Sequence, residues 1–355
     1  MDTNAQKIRE KLLKFYPAEE WPTLLYQADE WAKTRPLEGL KILDVTPLYR
    51  NTLGKFMALL AAGADLYVPD GWGMPADRAI LASIEEYGIH KVGKKTDGFD
   101  IILDCSGRCH RQTHVLGACE LTRSGVPRYE HTHRPVFSVD DSRIKRIETT
   151  LGTGESFFRA LRKLGTKDFT GRRLLVIGYG KVGRGVVHYA RQNGMKVMVA
   201  DIVDKSGELP GDVHFVNVND VEAFNEAILR AWCAVTVTGK EGALRHKLHA
   251  ASIIDSPVIL ANMGVEDEYS SEIPASRVLN HKQPLNFILS DPTSMRFIET
   301  TMALHNACAL DLLTPDLPHR CMPPCPDVEE RLLHIATTRG AIAADLDQMS
   351  FDLLA

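Results

Sequence analysis

The chain has 355 residues, of which 44% are hydrophobic and 25% charged, and its formal net charge is −4. This length allows about two domains with sizeable cores, and the composition argues against extensive disorder. The acidic balance and the lack of a long Lys/Arg block exclude the electrostatic footprint of a protein that binds nucleic acid or an anionic membrane. Small molecules are therefore the expected partners.

We expect neither a targeting signal nor a disulfide framework. Its N-terminal residues lack the charged and apolar regions of a signal peptide, and no stretch reaches the roughly 18 apolar residues of a spanning helix. Seven cysteines, an odd number, suit reduced thiols better than a disulfide framework. We expect a cytoplasmic protein, with a homodimer as the commonest closed assembly.

Helices and short apolar runs alternate in the first 150 residues. Residues 5–34 have apolar positions at helical spacing, which Pro22 interrupts and Pro36 ends. Such alternation indicates a parallel sheet. The predicted strands are 42–45, 66–68 and 101–104, and the predicted helices lie near 52–62 and 75–86.

A glycine-rich turn follows a helix predicted at 155–164 and the apolar run 174–177. The turn reads Gly178-Tyr179-Gly180-Lys181-Val182-Gly183; a predicted helix then ends near Gly194. Gly178 permits a tight turn, Gly180 lets backbone amides approach a pyrophosphate, and Gly183 lets helix and strand pack closely. This order of elements favours a dinucleotide-binding βαβ unit over a turn that serves only packing.

The next apolar run, 197–200, stops at Asp201, roughly 20 residues beyond the glycines. A carboxylate at this place accepts hydrogen bonds from the adenosine ribose and repels a 2′-phosphate. The predicted cofactor is therefore NAD rather than NADP.

Further strands are predicted at 214–218, 232–238, 257–262 and 285–290, and helices near 297–313 and 327–346. The Pro-rich stretch 315–326, which includes Cys321 and Cys325, resembles a connector. The predicted fold class is α/β. A Rossmann-type doubly wound parallel sheet occupies 151–296, and a smaller α/β substrate domain, 1–150, is completed by 297–355.

Two strings beside the glycine-rich turn resemble the adenosylhomocysteinase family over roughly residues 40–310. They are Val235-Thr236-Val237-Thr238-Gly239 and Ala261-Asn262-Met263-Gly264. The resemblance implies that Lys181, Val182, Thr238 and Gly239 bind the cofactor and that Asn262 and Gly264 face its nicotinamide ribose. The stretch 120–125 is similar to the family's threonine-rich segment, which implies that Thr122 and Ser124 touch the nicotinamide end.

The segment 135–145 looks like the one that holds the family's catalytic lysine, so the resemblance makes Lys145 that lysine. Glu148 or Thr149 then falls near the family's next catalytic acid, and Asp140 near its active-site asparagine. In that family a tightly held NAD⁺ oxidises a ribose hydroxyl, a thiol is eliminated, and water adds. A lysine in a dry pocket suits the first proton transfer. The alternative for Lys145 is a solvated helix lysine.

Several positions depart from the family's pattern. Pro47 replaces a histidine, and Val265 replaces another. The family's acidic pair becomes Asp104-Cys105, which leaves Asp104 as the candidate second base. The residues that the family uses to bind the cofactor are thus retained, whereas those that recognise adenosine are replaced.

Other side chains suggest metal or anion chemistry. Zinc suits thiolates and imidazoles such as those of Cys105, Cys109, His110 and His114, but their spacing matches no standard zinc motif, so we expect no metal. His133, with His131, could act as acid and base or bind an anionic substrate. Nearby arginines could clamp carboxylates, or could simply lie in a wetted loop; they are Arg108, Arg111 and Arg128.

Three functions follow from these observations. The first is an NAD-dependent enzyme of the adenosylhomocysteinase-like lineage that oxidises or reduces a small polar or anionic metabolite, as net or transient redox. The second is an adenosylhomocysteinase-type thioether hydrolase or lyase. The third is a non-catalytic NAD-binding regulatory protein, because kinship in fold underdetermines chemistry.

Overall fold

A computed structural model describes residues 2–349, apart from the side chain of His114. The chain forms two compact units. We call Thr149–Thr293 the central unit, and the described residues up to Glu148 together with those from Ser294 onward the discontinuous unit. The unit boundaries fall two and three residues before the boundaries predicted at 150/151 and 296/297.

Strands and helices alternate along most of the described chain. The strands are β1 (Lys41–Asp44), β2 (Asp65–Pro69), β3 (His90–Val92), β4 (Phe99–Asp104), β5 (His114–Glu120), β6 (Val136–Ser138), β7 (Arg173–Ile177), β8 (Lys196–Asp201), β9 (His214–Asn217), β10 (Cys233–Thr236), β11 (Ile259–Asn262) and β12 (Cys321–Met322). The helices are α1 (Thr3–Leu12), α2 (Pro22–Thr34), α3 (Thr52–Ala61), α4 (Arg78–Ser83), α5 (Arg143–Ile147), α6 (Thr153–Lys163), α7 (Lys181–Gln192), α8 (Val221–Arg230), α9 (Ala250–Asp255), α10 (Met295–Asp311), α11 (Pro326–Arg339) and α12 (Ile342–Asp347).

The central unit holds a parallel sheet in the order β11-β10-β7-β8-β9. Both faces of this sheet are covered, because alternate residues of β7 enter different clusters: Leu174 and Val176 pack with the α6 residue Phe157, and Leu175 and Ile177 pack with the α8 residue Phe224. The chain leaves β7 towards β8 and β9 and returns on the other side at β10. Ligands of doubly wound sheets bind at such a switch point, at the carboxyl ends of the strands.

The discontinuous unit holds a parallel sheet in the order β12-β6-β5-β4-β1-β2-β3. Its switch point lies between β1 and β4, so the loops after these two strands flank the expected crevice. Every residue of α3 is buried in this unit. The predicted α/β class with parallel sheets is thus confirmed.

Two expectations about the fold are wrong. The unit predicted to have the smaller sheet has seven strands among the described residues, against five in the central unit. Its short edge strands carry too few residues for a sequence pattern, and the supposed connector contributes one of them, because Cys321 and Met322 pair with β6. The predicted strand 285–290 is a 3₁₀ helix, Leu285–Ile288, since a short apolar run does not distinguish a strand from a buried turn.

No helix in residues 2–349 combines the length and the hydrophobicity that crossing a bilayer requires.

A buried acid on α10 couples the stability of the discontinuous unit to pH. The Glu299 carboxylate accepts hydrogen bonds from the backbone amides of Thr23 and Leu24, both at 3.1 Å, and from the hydroxyls of Thr23 and Thr300. Burial nevertheless raises the pKa of Glu299 to about 7. Since this pKa exceeds that of the unfolded chain, the carboxyl favours the folded state at low pH, and this contribution is lost as the pH rises through 7.

Glu299→Gln is expected to remove this pH dependence. The amide keeps one acceptor for the α2 amides, and its NH₂ group can donate to Thr300. Relative to the native chain, the variant should gain on the order of 2 kcal/mol of unfolding free energy between pH 5 and pH 8. Urea unfolding at several pH values measures this gain. The exposed control Glu86→Gln should follow the native profile, and a constant difference between Glu299→Gln and the native chain would contradict the prediction.

Candidate functional site

The glycine-rich turn lies at the switch point of the central unit. Gly178 has φ +103°, and a Cβ there would lie 3.0 Å from the carbonyl oxygen of Val237. A Cβ on Gly183 would lie 2.1 Å from the carbonyl oxygen of Gly178, so helix and turn pack without room for a side chain. Gly180, the N-cap of α7, has nothing within 4 Å of its Cβ position. The turn therefore leaves open backbone at a helix N-terminus, as a pyrophosphate requires.

Asp201 ends β8 beside this turn. Its carboxylate accepts hydrogen bonds from the backbone amides of Tyr179 and Val203, at 2.9 and 3.1 Å, and remains half-exposed. After Gly180 in the glycine-rich turn, Lys181 and Val182 begin α7, and Val182 packs against the core of the unit. Open glycine, helix N-terminus and acid together fit NAD.

A buried carboxylate that the sequence did not reveal holds the neighbouring loop. Glu268 accepts hydrogen bonds from the amides of Thr238 and Gly239, at 2.8 and 2.7 Å. A Cβ on Gly264 would lie 2.1 Å from Oε1 of Glu268, so only glycine fits at this position. Burial raises the pKa of Glu268. Nothing in the sequence distinguishes Glu268 from the acids just before it, because its role depends on the folded loop.

Asn262, at the end of β11, shapes the same loop. Its amide donates to the carbonyls of Gly264, Glu266 and Lys282 at 2.7–3.1 Å. Its Oδ1 accepts from the Thr236 hydroxyl and from the Gly264 amide. These contacts use the polar atoms of the side chain within the protein, so the structure gives Asn262 a positioning role.

Lys145 and Glu148 form a shielded pair in the discontinuous unit. Ser142 caps α5 by accepting a hydrogen bond from the amide of Lys145 at 2.9 Å. Lys145 is 7% exposed, and its Nζ lies 2.8 Å from both carboxylate oxygens of Glu148. The chain continues directly into a π-helical turn, Glu148–Gly152, a geometry that is frequent at functional sites. The alternative of a solvated helix lysine is wrong.

Two buried acids hold the turn after β4, residues 105–109, which we call the pinned turn. Asp104 accepts hydrogen bonds from the amides of Cys105, Arg108 and Cys109 and from the Tyr129 hydroxyl. Glu120 accepts from the amides of the two remaining residues of the turn. Each of the five successive amides thus donates a hydrogen bond to a carboxylate. Because Asp104 accepts three of these bonds, it holds the turn in place and is not available as a base.

Burial raises the pKa of both acids, and the charge of Asp104 adds to the rise at Glu120. The Thr122 hydroxyl donates a hydrogen bond to Glu120 and accepts one from the backbone amide of Ser106 in the pinned turn. The Ser124 hydroxyl lies 3.4 Å from that of Ser106. Thr122 and Ser124 therefore contact the pinned turn at Ser106. His133 is exposed in a surface turn, and within residues 2–349 no hydrogen bond or ion pair joins it to Lys145.

The thiols of the pinned turn are buried. Burial, with Glu120 nearby, raises the pKa of the Cys105 thiol to about 12, and burial raises that of Cys109 as well. The His110 ring lies 2.7 Å from the carbonyl oxygen of Gly107, whereas the side chain of His114 lies outside the described residues. In the part of the chain that the structure describes, no group of three His, Cys, Asp or Glu residues could hold a metal ion.

A small cavity of about 40 Å³ lies between the loops after β1 and β2. Its walls are mostly apolar, and Thr46 is among the residues that line it. The Thr46 hydroxyl donates to Asp44, the last residue of β1. The cavity is about the size of a water molecule, so it accepts only small groups in this conformation. Its lining includes Thr46, Leu48, Val68, Trp72 and Met74.

Part of the chain matches the model of a known protein family, and the sequence is similar to those of curated relatives. Residues 149–297 match the family described as S-adenosyl-L-homocysteine hydrolase, NAD binding domain. An S-inosyl-L-homocysteine hydrolase of Methanopyrus kandleri is 27% identical over 71% of this chain and 66% of its own length. An adenosylhomocysteinase of Thermoplasma acidophilum is 24% identical over 71% of this chain and 67% of its own length.

Residues 149–297 thus resemble the NAD-binding domain of this family, and the chain is similar to its named members at low identity. NAD is the cofactor of the central unit, and the open glycine turn and Asp201 fit it. The matched segment spans about two thirds of the length of these curated relatives, which are enzymes by name. Among solved structures, a component of dipicolinate synthase from Bacillus halodurans superposes with a TM-score of 0.47 and 12% identity, covering 79% of this chain and 99% of that one.

Proposed function

We propose that this adenosylhomocysteinase-like protein is an NAD-dependent enzyme that oxidises or reduces a small polar metabolite, as a net reaction or as a transient step. The observation that carries the proposal is Lys145, an amine shielded from solvent and oriented by Glu148 in a chain whose other unit fits NAD. NAD, when bound, supplies the hydride acceptor or donor. The protein must then supply proton transfer and substrate binding.

Lys145 is the proposed proton carrier. During oxidation of an alcohol, the amine form of Nζ accepts the hydroxyl proton; during reduction, the ammonium form returns it. The two oxygens of Glu148 hold Nζ in place and limit its rotamers. Because Lys145 is almost fully buried, little water competes for this proton.

The departures from the family's pattern support a substrate other than adenosylhomocysteine. Pro47 has no side-chain donor, and Asp104 is committed to the pinned turn. A thioether hydrolase with an altered pocket is the second candidate. One relative is named as a hydrolase of S-inosyl-L-homocysteine rather than of the adenosyl compound, which favours variation of the recognised base within this lineage.

The test is to denature the purified protein, identify by mass spectrometry the nucleotide and any small molecule that it releases, and titrate the protein with NAD. We expect NAD to be retained or to bind, and a candidate substrate to change the absorbance of the reduced nicotinamide. Thiol release from S-adenosyl- or S-inosylhomocysteine without net NADH would select the hydrolase. NAD binding without any turnover would select a regulatory protein, and the absence of NAD binding would refute all three.

A further inference from the structure

Unbalanced positive charge is concentrated around the pinned turn. Residues 105–134 contain five arginines, no lysine or aspartate, and two glutamates, whereas the whole chain has a net charge of −4. One of the two glutamates, Glu120, is buried beneath the turn. This cationic segment includes the loop after β4, which flanks the switch point of the seven-stranded sheet. Ligands bind at this place in parallel sheets.

The pinned turn is held in a costly conformation. Ser106 and Gly107 have φ values of +63° and +59°, and for serine this left-handed backbone is unfavourable. Two neighbouring buried carboxylates are a further cost, because like charges repel and both lose water. Because Asp104 and Glu120 hold the turn in this form, the turn is rigid. A rigid site loses less conformational entropy when it binds a ligand.

Basic and imidazole groups gather around Gly107. The side chain of Arg128 covers it, with Cδ 2.6 Å from the position that a Cβ would take. The His110 ring lies 2.7 Å from its carbonyl oxygen, and the other ring nitrogen accepts a hydrogen bond from Nε of Arg111 at 3.2 Å. Tyr129, next to Arg128, donates to Asp104. The acid that fixes the turn therefore also fixes the segment that carries Arg128.

These arginines lack the carboxylate partners that others on the surface have. Arg9 pairs with Asp29. Arg123 and Arg143 likewise pair with acids. Among residues 2–349, no acid forms an ion pair with the three exposed arginines at the pinned turn, which are Arg108, Arg111 and Arg128. Their charge is thus available to a ligand.

We infer that the pinned turn with Arg108, Arg111 and Arg128 binds an oxyanion, a carboxylate or phosphate group, of a small-molecule substrate. This inference rests on the proposed function and names its substrate as anionic. Guanidinium groups bind both kinds of oxyanion through paired N–H donors. A polyanion is a poorer match, because the chain is acidic overall and has no extended basic stripe.

Calorimetric titration of the protein, saturated with NAD, tests the site with inorganic phosphate in one arm and malonate in the other. Saturation with NAD matters because the glycine-rich turn also offers amides to phosphate. Arg111→Gln and Arg128→Gln should each weaken binding of the preferred ion about tenfold. The matched control is Arg9→Gln, an arginine of the same unit that is paired with Asp29, and it should bind like the native chain.

Equal affinity in the native chain and in both arginine variants would overturn the inference, as would the absence of saturable binding of either ion. The same samples are titrated with NAD, which the arginine variants should bind normally. NAD binding without arginine-dependent oxyanion binding would refute the site and leave the proposed function standing. Arginine-dependent oxyanion binding in a protein that does not bind NAD would refute the proposed function and leave the site standing.

Discussion

Lys145→Met is expected to lower kcat by about 10²–10⁴-fold, the contribution typical of a positioned acid or base. The variant removes the proposed proton carrier but keeps most of the buried volume of the side chain. Glu148 is 14% exposed, so its carboxylate can reach water once the ammonium group is gone. The fold should therefore persist. The measurement is kcat with the substrate that changes nicotinamide absorbance, together with NAD affinity, which should change less than about twofold.

Two variants separate proton transfer from a structural ion pair. Lys167→Met removes an exposed lysine and should leave kcat unchanged. Glu148→Gln keeps one oxygen that can accept from Nζ but removes the charge, so we expect a smaller loss of kcat and an altered pH profile. If Lys145→Met retained kcat within a few-fold of the native value, the pair would serve structure alone and the proposed proton transfer would be wrong.

The cofactor turn was predictable because its requirements are local. Gly178, Gly180 and Gly183 each meet one steric requirement of a strand–turn–helix unit, and all three lie within six residues of the sequence. Asp201 follows from the length of one helix and one strand. A single sequence therefore suffices to predict such a strand–turn–helix unit, whereas the sizes of the sheets depend on short edge strands that form through pairing with distant residues.

The pinned turn was not predictable as a unit. Asp104 and Glu120 are 16 residues apart, and they become neighbours because β4 and β5 pair in a register that sets one beside the other. Their common task, holding five successive amides, exists only in the folded sheet. The arginines were recognised as possible anion ligands, but their arrangement around Gly107 required the structure.

Lys55 shows the same limit within one helix. The sequence of α3 is almost wholly apolar, which predicts a buried helix and gives no reason to single out its one charged residue. In the structure, the Nζ of Lys55 binds the carboxylate of Asp44, and both side chains are almost completely buried. The backbone amide and the hydroxyl of Thr46 also donate to Asp44, which fixes the loop after β1 at the switch point.

Lys55→Met is expected to destabilise the discontinuous unit by about 3–5 kcal/mol, because it leaves the Asp44 carboxylate buried without its counter-charge. Burial already lowers the pKa of Lys55, and Asp44 opposes this effect. The Thr46 donors alone cannot replace a full positive charge. The measurement is the unfolding free energy from urea denaturation, with NAD affinity as a readout of the central unit, which should be unaffected.

The double variant Asp44→Asn/Lys55→Met isolates the cause. An asparagine accepts from Thr46 without carrying charge. Adding Asp44→Asn to Lys55→Met should therefore recover most of the stability that Lys55→Met removes. Lys33→Met, which breaks an exposed pair with Glu30, should leave the urea midpoint unchanged. If the double variant were no more stable than Lys55→Met alone, lost packing around α3 would be the cause rather than an unpaired charge. The loop after β1 would then be held by its hydrophobic contacts, and the buried ion pair would have no part in shaping the crevice.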